Sequence, residues 1–359
     1  MASCRVLVAA IAVATLLPGK PGVAANGSSR PTVVVVADND GTETTDFLVP
    51  YGILAMSDAV DISAASTRAG PVALHPALTV QLAQTLESFD VAHPGGADIV
   101  IVPAIHQRRE PHLVAWLQRQ SERGATLVAI CDGVWTVAAT GVLDGKRATG
   151  HWYSLDDLQA EYPRTTWVRD RRYVRDGSVI TTTGVTASIP SSIALVEDIA
   201  GTARAQALAA RLGVRYWGAE HDSRRFSLSL RDVAAAARNW LFVWNHERVG
   251  IPIGTDTDEI TLALTADALS RTYRSTAVAL SNSTAPLRLK YGIVLVPDAT
   301  IEAAAVEYIE PLPGPDAPAV AALDRALASV HDRYGEATAD FVALQIEYPQ
   351  RRLSSTPAR

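Results

Sequence analysis

Only two cysteines occur in 359 residues, Cys4 and Cys131, and no Cys-x-x-Cys pair is possible between them. There is no His-Glu-x-x-His helix motif and the eight histidines are scattered, so no metal centre is expected. Neither a G-x-G-x-x-G turn nor a phosphate-binding loop is present, which leaves no expected nucleotide cofactor. Basic residues are the minority, 32 against 38 acidic ones, for a formal charge of −6. Nucleic acid is therefore not expected as a partner, because its affinity rests on phosphates neutralised by clustered Lys and Arg. An apolar run of the roughly 20 residues needed to cross a bilayer is also missing. The longest candidate, Val6 to Leu17, is followed at once by Pro18, Lys20 and Pro21.

That short run has a different use. Arg5 precedes it and the small residues Val23, Ala24 and Ala25 follow, the layout of a signal peptide over residues 1–25. The expectation is export to the periplasm or the medium, with no stable membrane span after cleavage; an uncleaved N-terminal anchor is the alternative. Cleavage after Ala25 removes Arg5 and Lys20 but no acid, taking the charge from −6 to −8. It also removes Cys4. Cys131 is then the sole cysteine in an oxidising compartment, with no intramolecular disulfide open to it. Such a thiol is either buried and inert or kept for its chemistry.

Strands and helices alternate along the chain. The β-branched run from Thr32 to Asp38 and the apolar runs Asp98 to Ala104 and Thr126 to Cys131 read as strands buried on both faces. Helices are expected at about 45–56, 111–123 and 188–198, with hairpins in "GPVALHPALTVQLA" and around Asp176-Gly177. This is the pattern of a doubly wound, mostly parallel α/β sheet over residues 30–215. From 216 to 335 the order strand, acidic turn, helix, strand, polar turn, strand returns. "TETTDFLVPYGILAMS" and "TDTDEITLALTADALS" share an acidic turn and the apolar spacing of a helix, so a second, degenerate α/β half-domain is expected there, without a cysteine of its own. Residues 336–359 read as a C-terminal tail. An amphipathic helix is expected over 232–245, with Trp240 and Trp244 on one face in an interdomain core.

The chemistry points to Cys131. A buried strand ends directly in Cys-Asp-Gly and runs into "VWTVAAT", which places the sulfur on a sharp strand-to-helix elbow. The helix dipole there favours thiolate, so a lowered thiol pKa is expected. The backbone N–H of Asp132 points where an oxyanion would form.

The combination of this elbow with "ATGHW" and "TTTGVTA" resembles the ThiJ/PfpI superfamily of the class I glutamine amidotransferase-like fold. Within it, the chain resembles particularly the branch holding isonitrile hydratases and the ligand domains of certain AraC-type regulators. The resemblance covers about residues 32–200 and implies a flavodoxin-like, amidotransferase-like fold with Cys131 as nucleophile. It also implies an acid against the sulfur, at Asp46 four residues before Pro50, with Glu43 and Asp40 as weaker candidates. His151 falls on the histidine near the site's mouth, as base or substrate-orienting group. Asp132 after the cysteine weakens a Cys-His peptidase reading, and Trp152-Tyr153 after His151 departs from the His-x-Glu of amidotransferases. Where relatives carry paired glycines, this chain has Ala104-Ile105, and the Ile105 N–H is the second expected oxyanion donor.

Two functions follow. One is an exported cysteine-dependent hydratase, deglycase or hydrolase acting on a small electrophile; the other is a non-catalytic ligand-binding or redox-sensing protein. Either takes a small molecule as its partner. The resemblance implies a homodimer unless the second copy fills that surface from within. The regulators' DNA-binding domains have no counterpart in the strand and helix alternation of the C-terminal half.

Overall fold

The computed structural model describes residues 30–314 and 316–348. The expected signal peptide with Cys4, and residues 349–359, lie outside the described residues. The first half runs β1 (Thr32–Ala37), β2 (Thr42–Glu43), α1 (Thr44–Ser57), β3 (Asp61–Ser66), β4 (Pro71–His75), β5 (Thr79–Gln81), β6 (Gln84–Thr85) and α2 (Leu86–Ala92). It continues through β7 (Ile99–Val102), α3 (Pro111–Glu122), β8 (Thr126–Ala129), α4 (Gly133–Ala139), β9 (Arg147–Ala148) and α5 (Leu155–Glu161). It closes with β10 (Thr166–Trp167), β11 (Tyr173–Asp176), β12 (Val179–Thr182), α6 (Ser188–Ala200) and α7 (Thr202–Leu212). The second half holds α8 (Leu230–Leu241), β13 (Glu247–Pro252), α9 (Glu259–Ser270), β14 (Ser275–Ser281), β15 (Leu287–Arg288) and β16 (Val294–Leu295). After these come β17 (Ala299–Thr300), β18 (Tyr308–Ile309), α10 (Ala321–Tyr334) and α11 (Glu336–Gln345).

Seven strands form the main sheet in the order β11-β12-β8-β7-β1-β3-β6, parallel throughout except for the β11-β12 hairpin. Strand residues point alternately to opposite faces, and here both faces are covered. Val33, Val35 and Ala37 join a core with α1 and α6, whereas Val34 and Val36 join a separate core with α3 and α4. The unbroken apolar character of β1, β7 and β8 follows from that double burial.

The second half is also α/β, and its topology repeats the first. Its sheet runs β17-β14-β13-β18, all parallel, which matches β6-β3-β1-β7 strand for strand. In a further five-stranded sheet β2 pairs parallel with β4 at one edge, and the two antiparallel hairpins join in the order β15-β16-β5-β4, with β16 pairing β5. That order reads the same in both directions once each hairpin is exchanged for its counterpart. Helices α1 and α9 pack against each other, closely enough that a Cβ on Gly52 would lie 2.7 Å from Ile260 Cγ1. Every residue of α9 is buried, as a helix covered on all sides must be. The two halves share one core, from Val33 and Leu48 to Ile260 and Leu264.

Two expectations need correcting. Helix α8 ends at Leu241, so Trp240 and Trp244 do not share a helix face; Trp244 sits in the following turn, and the two are 65% and 73% exposed rather than core. The segment read as a tail begins with α11, whose Phe341, Val342 and Leu344 are buried. Among the described residues, no helix is long and apolar enough to cross a membrane.

Candidate active site

Strand β8 delivers the chain into an elbow. Cys131 adopts φ +52°, a conformation costly for a non-glycine residue, and its N–H donates to Thr182 Oγ1 at 3.0 Å on β12. The next residues must pass the end of β7 at close range. A Cβ at Gly133 would stand 2.1 Å from the Val102 carbonyl oxygen, so only glycine fits. Cys131 is 6% exposed and lies on the wall of a cavity of about 590 Å³, and it is the free cysteine among the described residues.

An acid cluster lies beneath it. Glu43 caps α1 by accepting the Asp46 N–H, and it lines the cavity. Asp46, in the first turn of α1, is fully buried; its Oδ2 accepts the Ala104 N–H at 3.1 Å, while Oδ1 has no hydrogen-bond partner. Burial pushes the Asp46 carboxyl up to about 7, against the pull of the Ala104 N–H and Arg271. Burial, reinforced by Asp46 and Asp267, drives the Glu43 carboxyl well above the usual range. Arg271, reaching in from the end of α9, bonds Glu43 and also donates from Nε to Asp267 Oδ1 at 2.7 Å. Asp40 is elsewhere, paired with Arg68 at the surface.

The thiol departs from expectation. Burial first, then the carboxylates of Asp46, Asp132, Glu43 and Glu347, push Cys131 well above its ordinary pKa. The dipole of the seven-residue α4 is outweighed by desolvation and surrounding negative charge. Among those charges, Asp46 acts most strongly on the thiol.

His151 lines the cavity, but both of its ring nitrogens are engaged: Nε2 lies 3.0 Å from the Gln345 carbonyl, and Nδ1 accepts the Tyr153 N–H at 3.3 Å. A carbonyl partner requires the proton on Nε2, which leaves no free lone pair facing the sulfur. The neighbouring Trp152 is tied to the C-terminal segment through Glu347 Oε1 and the Leu344 carbonyl, at 2.9 and 3.1 Å. Asp132 also lines the cavity; its Oδ2 accepts from Ser154 at 3.0 Å and faces Arg108 at 3.4 Å. Among the described residues the Asp132 N–H has no acceptor. Ile105 bridges Thr42 and packs in the core behind the sheet, and the cavity wall at this loop is Ala104, whose N–H is given to Asp46.

Residues remote in sequence complete the wall. Val233, Ala236, Ala237 and Trp240 occupy one face of α8 at helical spacing, and Phe341 and Leu344 project from α11. Arg271 and Tyr273 follow α9. The spacing along α8 was a readable signal of an apolar face. What that face covers depended on where the second half folds.

The model of the DJ-1/PfpI family matches residues 31–198. Over 167 residues the chain is 29% identical to an isonitrile hydratase of Pseudomonas putida, covering 45% of this chain and 69% of that protein. Over 91 residues it is 40% identical to the HTH-type transcriptional regulator CdhR of Pseudomonas aeruginosa, but this covers only 25% of this chain and 27% of the regulator. Among solved structures, Drosophila melanogaster DJ-1beta superposes with a TM-score of 0.47 at 20% identity, covering 53% of this chain and 100% of that one. Over residues 31–198 the chain is a DJ-1/PfpI family domain, followed by a second α/β half.

Proposed function

We propose that Cys131 is the nucleophile of a hydratase- or hydrolase-like reaction on a small uncharged electrophile. The observation that carries this reading is the strained elbow, which holds an otherwise buried thiol on the wall of a cavity beside an acid pair. The thiol is protonated at rest, so activation comes from a neighbouring base rather than from a standing thiolate. Asp46, held at about 7, suits that task at neutral pH. As Sγ bonds the electrophilic carbon, the thiol proton passes through Asp46 to the substrate. Water then adds to the same carbon, the carbon–sulfur bond breaks, and the thiol regains its proton. The net change is addition of water, with no change of oxidation state. The N–H of Asp132 is the oxyanion donor in this scheme, and His151 orients the wall. The likeness to an isonitrile hydratase supports hydration as the reaction class.

The reading includes export by residues 1–25, supported by the Arg5 and Val6–Leu17 pattern. The acidic balance and the strand and helix order of the second half support a role without nucleic acid. A second reading, ligand binding without turnover, is favoured by one observation: the Ala104 N–H is spent on Asp46 and Ile105 faces away from the cavity. A turnover screen with isonitriles, dicarbonyls and small amides separates them. Wild type should exceed Cys131→Ala by about a thousandfold or more, and equal rates would remove Cys131 from the chemistry.

A further inference from the structure

The cavity's size and wall describe its ligand more closely than the elbow does. About 590 Å³ is the scale of a pocket for a ligand of many heavy atoms, far beyond what a two- or three-carbon electrophile fills. Beside the polar group of Cys131, Glu43 and Arg271, the buried wall is apolar: Leu344 is fully buried, and Val185 and Phe341 are 3% and 6% exposed. The mouth is apolar as well, rimmed by Leu228, Val233, Trp240 and Tyr273, all substantially exposed. On α8 the small residues Ala236 and Ala237 lie between Val233 and Trp240 and leave the volume open.

The charged side chains on the wall already have counter-charges. Arg271 is held by Glu43 and Asp267, and Asp132 faces Arg108. An anion would find Arg271 already held by two carboxylates, and an ion of either sign would lose its hydration on entry to a largely apolar cavity. The helix that builds this side is itself firmly placed. Ser229 and Asp232 form a capping box at its start, and Asn239 Nδ2 donates to Thr338 Oγ1 at 3.1 Å on α11.

The geometry points to a neutral ligand with a bulky apolar substituent, whose tail is selected by α8 and α11 of the second half while its reactive end meets Cys131. This deepens the reading of Cys131 as nucleophile and rests on it for the identity of the reactive end. The second half is thereby a specificity wall, contributed by the same chain to the first half's site.

The test is binding to the full mature chain carrying Cys131→Ala, followed by titration calorimetry, so that turnover plays no part. N-cyclohexylformamide should bind at least tenfold more tightly than N-methylformamide, and at least tenfold more tightly than cyclohexanecarboxylate or cyclohexylammonium. Ala237→Trp, at an exposed position of α8, should fill the cavity and weaken the cyclohexyl ligand tenfold or more. Trp240→Ala should narrow the difference between the cyclohexyl and methyl ligands. Equal binding of the two formamides, tighter binding of either charged analogue, or indifference to Ala237→Trp would overturn the proposal. If the binding order holds while wild type turns over none of the corresponding isonitriles, the ligand class stands and the nucleophile reading falls.

Discussion

Asp46 and Glu259 occupy the same place in two copies of one unit, each eleven residues before the end of its helix, at Ser57 and Ser270. Burial pushes both carboxyls up to about 7. Their surroundings differ. Asp46 acts on the thiol of an elbow, whereas Glu259 accepts the N–H groups of Tyr291 and Ile293, at 2.9 and 3.3 Å, and so fixes the loop before β16. A buried acid at the start of this helix thus belongs to the folding unit. Only in the first copy does the β8-α4 elbow bring a cysteine within reach of its charge. The other copy keeps the acid for architecture and supplies, through Arg271, the cation that the first copy's acids need.

The comparison can be broken most severely by separating the halves. A chain ending at Arg215 exposes the α1 face that packs on α9, and the expected result is aggregation or self-association instead of a folded monomer, read by size-exclusion chromatography and circular dichroism. A monomer with cooperative unfolding would show that the second half is dispensable. Next in size is Arg271→Ala, which leaves Glu43 and Asp267 without their buried cation. It should cost about 3–5 kcal/mol in urea unfolding. Gly133→Ala forces a Cβ against the Val102 carbonyl and should cost about 1–3 kcal/mol while distorting the elbow. The second half has no such elbow to distort.

A further effect is a pH dependence shared by both copies. Asp46, Glu43 and Glu259 have folded pKa values raised above the ordinary 3.8 to 4.5, two of them to about 7. The folded state therefore holds protons that the unfolded chain has released. That contribution is complete below about pH 4 and is lost as the pH rises through about 7. Asp46→Asn and Glu259→Gln should each flatten part of this slope in thermal unfolding between those limits. Unchanged slopes would mean that the two acids are not buried as described.

Much of the architecture was legible because double burial writes itself into β1, β7 and β8 as unbroken apolar runs. The elbow was legible too, since Cys-Asp-Gly directly after such a run leaves few conformations. The second α/β half announced itself in the acidic turn and helix spacing around Glu259. The pocket did not. Its wall comes from α8 and α11, residues 230–241 and 336–345, and no local pattern says that these helices fold back over Cys131. The same long-range closure buries the thiol among carboxylates and reverses the pKa expected from the helix dipole alone. His151 lines the cavity, yet the carbonyl of Gln345 that occupies its ring lies 194 residues away.

The pairing of Asp46 with Cys131, absent from the second copy, is tested most directly by the pH dependence of alkylation at Cys131 by iodoacetamide. Wild type should react along a curve displaced above the ordinary thiol range, Asp46→Asn should move that curve to lower pH by removing the charge that acts most strongly on the sulfur, and Glu259→Gln should leave it in place. Coincident curves for wild type and Asp46→Asn, or an equal displacement by Glu259→Gln, would contradict the account.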